Sequence, residues 1–185
     1  MGILSDLQPK AVMHYFEEIC SIPHGSLDTK RISDYCVRFA EERGLRYIQD
    51  DSNNVVIFKD ATVGYEDHPT VILQGHLDMV CEKDPDCDID FSKDGLRLCH
   101  DGEYIFAKGT TLGGDDGIAV AYALALLDDP TIPHPPLEVV ITVDEEFYLT
   151  FAPPTVAFRS PMHIRSNVVA IPFYSVQDHI RFHIG

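Results

Sequence analysis

The chain has 185 residues, 45% hydrophobic and 10% aromatic, enough for one sizeable core and too apolar for wholesale disorder. Its formal charge of −16 excludes nucleic acid and anionic membrane as expected partners, because holding phosphates takes clustered Lys and Arg. The longest apolar run, Ile118 to Leu127, is 10 residues, against the ~20 that span a bilayer. Met1 to Lys10 shows no secretory signal, and the five cysteines include no C-x-x-C pair, so reduced thiols and a cytoplasmic location are expected.

From Ser5 onward, Val12, Tyr15, Phe16 and Ile19 fall at helical spacing, with Pro9 near the start. A second helix is expected from about Asp28, burying Ile32, Cys36 and Phe39 and stopping at Gly44. Two strands follow, Leu45 to Gln49 and Val55 to Lys59, around the turn Asp50-Asp51-Ser52-Asn53. Thr70 to Gln74 is nearly continuous in apolar character, as a strand buried on both faces would be. Residues 81–103 are polar and acidic and read as an excursion between core elements. Tyr104 to Ala107 is a further strand candidate, leading into the small-residue loop Gly109 to Gly114 and a helix from about Asp116 to Leu127. Another buried strand, Leu137 to Val143, runs into Asp144-Glu145-Glu146. Strand, loop-opened helix and strand make the grammar of a largely parallel α/β sheet, in which sites gather beyond the carboxyl ends of the strands.

Three polar clusters lie where that sheet edge is expected: His76-Leu77-Asp78, Asp115-Asp116 and Asp144-Glu145-Glu146. Holding two divalent ions for amide hydrolysis takes a neutral imidazole, a carboxylate that can bridge, and a separate base for the water. Residues two apart on an extended chain point the same way, so Asp78 can lie beside the His76 ring and fix its tautomer. Taken singly, each cluster has a plainer reading: a surface His beside an Asp, a tight turn, a solvated acidic loop. The glycine-rich loop also lacks the Lys and spacing of a Walker loop and the G-x-G-x-x-G of a dinucleotide site. The conjunction of all three favours the metal site.

The stretch Leu73-Gln74-Gly75-His76-Leu77-Asp78-Met79-Val80 resembles the first metal motif of the aminoacyl-histidine dipeptidases. These belong to the di-zinc exopeptidase family that includes carboxypeptidase G and peptidase T. Gly109 through Ile118 resembles the second motif, and Pro136-Leu137-Glu138-Val139 running into Thr142-Val143-Asp144-Glu145-Glu146 the third. Ile19 to His24, Asp90 to Asp94 and Asp101 to Glu103 also look familial. The resemblance covers about residues 5–146 and is closer to the dipeptidase branch than to peptidase T. It implies a zinc-exopeptidase-like α/β/α sandwich and metal-dependent hydrolysis of small dipeptides, Xaa-His or broader, by a water that two metals activate. His76 would bind one metal, Asp115 would bridge both, Glu146 would bind the second, Glu145 would act as general base, and Asp78 would orient His76. Asp116 falls where the family often has Asn and is given no role. Zinc is the expected ion, and manganese or cobalt suits the same donors.

Beyond Glu146 the composition changes. Residues 1–146 hold 29 of the 30 acidic residues and 11 of the 14 basic ones, whereas residues 147–185 hold Asp178 against Arg159, Arg165 and Arg181. The expectation is a catalytic-domain portion over 1–146 and a non-familial tail over 147–185, non-native or disordered, after truncation or a shifted reading frame. On that expectation two of five family ligands are missing, as is the lid domain through which family members form homodimers. The alternative function is then a catalytically inactive fragment that binds metal or a partner. His179 and His183, four apart, would share a helix face, but without the Glu of H-E-x-x-H. His14, His24 and His134 read as surface or structural.

Overall fold

The fold is taken from a computed structural model, which describes residues 2–147 and 181–183. Helix α1 is Lys10–Ser21, starting later than the Ser5 expected because Pro9, in an extended conformation, occupies its N-cap. Its buried face is Val12, Met13, Tyr15, Phe16, Ile19 and Cys20. Helix α2, Lys30–Glu42, buries Ile32, Ser33, Cys36, Phe39 and Ala40. It ends in a Schellman arrangement: Gly44, at φ +63, donates to Glu41 O and Leu45 donates to Ala40 O, which satisfies two terminal carbonyls. Strands β1 (Arg46–Gln49) and β2 (Val55–Lys59) form a hairpin. At its turn the Asp50 carboxylate accepts the amides of Ser52 and Asn54.

Strand β3 is Val71–His76, ending two residues beyond the expected run, so His76 closes the strand. The acidic excursion contains a short strand, β4 (Leu98–His100), paired with β5 (Tyr104–Ala107). Helix α3 (Gly114–Asp128) precedes β6 (Leu137–Thr142), and β7 (Arg181–His183) adds to β5. His183 therefore lies on extended backbone and not on the expected helix; His179 and most of the expected non-familial tail lie outside the described residues.

The main sheet has the order β1-β2-β6-β3. The α/β expectation holds, but the sheet is mixed and not largely parallel: β3–β6 is parallel, while β1–β2 and β2–β6 are antiparallel. A five-residue hairpin turn can only reverse the chain, whereas β3 and β6 are joined through a helix. Burial also differs from the two-faced expectation. Val55, Ile57, Val139 and Ile141 lie in one core with all three helices, while on the opposite face Val56 and Ile72 are buried but Glu138 and Val140 are half-buried and Gln74 is exposed. The second helical layer of an α/β/α sandwich is not among the described residues. Across the bottom of the core, Lys59 Nζ of β2 donates to Leu126 O and Asp129 O, completing the C-terminal end of α3. All five cysteines are free thiols, and no described helix is long and apolar enough to cross a membrane.

Candidate functional site

The parallel pair β3–β6 sets the site. His76 lies opposite Thr142 in register, so both strands end level and the groups beyond them share one edge. His76 is only 6% exposed. Its amide donates to Asp116 Oδ2 at 3.3 Å. Ring atom Nδ1 lies 3.0 Å from the Asp78 carbonyl oxygen and 3.4 Å from Asp78 Oδ1. The other ring nitrogen, Nε2, faces Asp115 Oδ1 at 3.4 Å and Glu145 Oε2 at 3.8 Å. One ligand atom each from His76, Glu145 and Glu146 lies within 4.8 Å of the others.

The loop into α3 brings the aspartates in. Gly113 has φ +66, and a Cβ there would come 3.0 Å from Met79 Sδ and 3.3 Å from His24 Nε2, so glycine alone fits this turn. Asp115 and Asp116 then depart from helical dihedrals, which turns neighbouring carboxylates to different tasks. Asp115 faces His76 Nε2 with its side chain 48% exposed, whereas Asp116 reaches under the strand to the His76 amide. On the far side, Asp144 takes φ +59 and leads into residues 145–147, which are helical. Asp78, 1% exposed, accepts the amides of Glu145 on Oδ1 at 2.9 Å and Glu146 on Oδ2 at 3.1 Å.

The electrostatics follow from one imidazole among five carboxylates. Burial works against the His76 cation, yet hydrogen bonding to Asp115 and Asp78 and the charge of Asp116 raise its pKa to about 10. Burial, with the charges of Asp115 and Glu145, pushes the Asp116 carboxyl up to about 6 against the pull of His76. Glu145 and Glu146 are raised too, first by burial and then by neighbouring carboxylates. Asp78 goes the other way: burial is outweighed by hydrogen bonds from His76, Ser26 and the Glu145 amide, which hold its carboxyl below the ordinary range. Such an excess of acid at one edge suits divalent cations. The donor set passes a geometric test as well. Two ligands of one tetrahedral zinc, at ~2.0–2.1 Å each, stand ~3.4 Å apart, which is the separation of His76 Nε2 and Asp115 Oδ1.

The five residues singled out from the sequence, His76, Asp78, Asp115, Glu145 and Glu146, thus occupy one edge of the sheet. The geometry adds Asp116 as the acceptor for the His76 amide, Asp144 as the acceptor for Leu27 N, and Ser26, whose hydroxyl donates to Asp78. Those last two contacts bridge 117 and 52 residues of sequence, distances no local pattern reveals. His24 and His134 are each 3% exposed with Nδ1 beside a backbone carbonyl, and neither joins the cluster. His14 lies on the helix surface, 3.7 Å from Glu18.

No family model matches the chain. It is 45% identical over 146 residues to the cytosol non-specific dipeptidase of Escherichia coli K12, a match covering 79% of this chain and 30% of that protein. The crystal structure of aminoacylhistidine dipeptidase from Vibrio alginolyticus superimposes with a TM-score of 0.75 at 44% identity, covering 77% of this chain and 29% of that one. Aminopeptidase PepT from Bacillus cereus shares the fold at a TM-score of 0.59 and 22% identity, over 78% of this chain and 39% of its own. The chain therefore spans about a third or less of the length of the dipeptidases it matches. By sequence and by fold, its matched residues are similar to those of the cytosol non-specific and aminoacylhistidine dipeptidases.

Proposed function

We propose that this chain carries the metal-holding and proton-transferring groups of a metal-dependent dipeptidase acting on small dipeptides in the cytoplasm, Xaa-His or broader in preference. The carrying observation is the convergence of His76, Asp115, Glu145 and Glu146 at the carboxyl ends of β3 and β6. On this reading His76, Asp115 and Glu146 would hold two divalent ions, zinc first and manganese or cobalt with the same donors, with Asp115 as the ligand that the two would share. When bound, the ions lower the pKa of water and polarise the scissile carbonyl. The chain's own groups do the rest. The Asp78 carbonyl and carboxylate hold a proton on His76 Nδ1, so Nε2, which bears a proton toward Asp115 in the metal-free chain, is the nitrogen that would exchange its proton for an ion. Glu145, with its pKa raised, takes the proton of the attacking water and delivers it to the leaving amine.

A second reading, metal binding without turnover, is favoured by the openness of the site: the Asp115 side chain is 48% exposed and that of Glu145 35%. Water at the ions weakens both their hold and the electrostatics of the reaction. Stripped protein titrated with Co²⁺ tests the metal site through the visible absorption of a His–carboxylate complex, which His76→Ala should abolish. Hydrolysis of Gly-Gly or β-alanyl-His by the loaded chain supports the dipeptidase. A cobalt spectrum without turnover supports the second reading, and no spectrum removes both.

A further inference from the structure

The loop between α1 and α2 contributes no ligand, yet it touches both ligand-bearing segments. We propose that this loop, through Ser26 and Leu27, is the positioning element that holds the β3 and β6 ends in working register, with Ser26 as a positioning residue for the carboxylate pair. The inference rests on the metal-site reading above and deepens it.

Two independent contacts carry it. The Ser26 hydroxyl donates to Asp78 Oδ2 at 2.7 Å. That carboxylate also accepts the amides of Glu145 and Glu146 and lies 3.4 Å from His76 Nδ1, so its lone pairs are fully engaged inside a buried site. The hydroxyl is the one donor of the four that comes from neither ligand-bearing segment, and it fixes the carboxylate against both. One residue on, Leu27 N donates to Asp144 Oδ1 at 2.6 Å. Leu27 (φ 68) and Asp144 (φ 59) both adopt the left-handed conformation, which is unfavourable for residues with a Cβ. Leu27 is 66% exposed, so burial does not explain its conformation; it is the third residue of a turn closed by Asp28 N donating to Gly25 O, a position that takes a positive φ. The same loop is tied to the segment after β3, since Met79 N donates to His24 O and Gly25 bridges Met79 in parallel.

The test compares Ser26→Ala with Ser26→Thr in the full chain by two readouts. First, amide hydrogen exchange of Glu145 and Glu146 is followed without metal, with Val139 and Ile141 of β6 as references. Ser26→Ala should speed exchange at the two glutamates at least tenfold and leave the references unchanged, and Ser26→Thr should restore the parent rates. Equal acceleration at all sites, or none at the glutamates, overturns the proposal. Second, Co²⁺ affinity should fall about tenfold in Ser26→Ala and recover in Ser26→Thr. An unchanged affinity beside a parent that binds Co²⁺ also overturns it. Should the parent bind no Co²⁺, the metal reading fails while the exchange experiment still decides the loop's role.

Discussion

Asp116 offers the sharpest test of the electrostatics. Its carboxylate does one structural job, accepting the His76 amide at 3.3 Å, which an asparagine carbonyl can do as well. Its charge, by contrast, is held among Asp115 and Glu145 in a partly buried position, with a pKa raised from 3.8 to about 6. An acid whose folded pKa exceeds its unfolded value lowers stability as pH rises from the unfolded pKa through the folded one. Two pKa units correspond to a ceiling of about 3 kcal/mol, and screening at a partly exposed site reduces this to about 1–2 kcal/mol. The attraction of the His76 cation is already counted, because that ring stays protonated across this range. Asp116→Asn, unfolded by urea with a chelator present, should match the parent near pH 4 and exceed it by about 1–2 kcal/mol at pH 7.5. The same difference at both pH values, or a loss of stability at pH 7.5, would refute the reasoning.

Two further substitutions probe the frame around the site. Gly113→Ala puts a Cβ into the left-handed region and 3.0 Å from Met79 Sδ. It should cost about 2–3 kcal/mol in thermal or chemical unfolding. Arg43 bonds Asp128 and the Tyr15 hydroxyl and stacks 3.9 Å from the centre of the Phe39 ring, joining all three helices. Arg43→Ala should cost about 1–2 kcal/mol at pH 7. Hydrogen bonds from Arg43 and then Tyr15 hold Asp128 below the ordinary carboxylate range, so that penalty is fully present at neutral pH and shrinks as pH falls through the lowered value.

What the chain reveals without coordinates is set by how local each signal is. The helices were legible because Val12, Tyr15, Phe16 and Ile19 repeat at helical spacing, and Gly44 is a terminator with a definite job. The metal-ligand candidates were legible because each stands at a strand or helix end beside a distinctive neighbour, as in His76-x-Asp78. Strand direction was legible only in part: the β1–β2 hairpin follows from its local turn, but the place of β6 beside β2 depends on partners about 80 residues away, and an apolar run does not say which neighbour it takes. Nor does such a run show that one of its faces stays half open, as at Gln74 and Val140. Asp116 illustrates a subtler limit. Sequence places it beside Asp115, but only the backbone turn at the start of α3 decides that one carboxylate enters the site and the other props up a strand.

Strand β6 is the last made of the four in the main sheet and one of the two innermost, inserted between β2 and β3. A ribosome building this chain can release α1, α2 and the β1–β2 hairpin as locally closed units, but β3 emerges with nothing to pair with. Some sixty residues pass before β6 arrives to take it up. During that interval Val71, Ile72 and Leu73 are exposed to any other unpaired strand, the situation that recruits chaperones or seeds association between nascent chains. Synthesis slowed between residues 76 and 137 should therefore lower soluble yield more than an equal pause after Thr142.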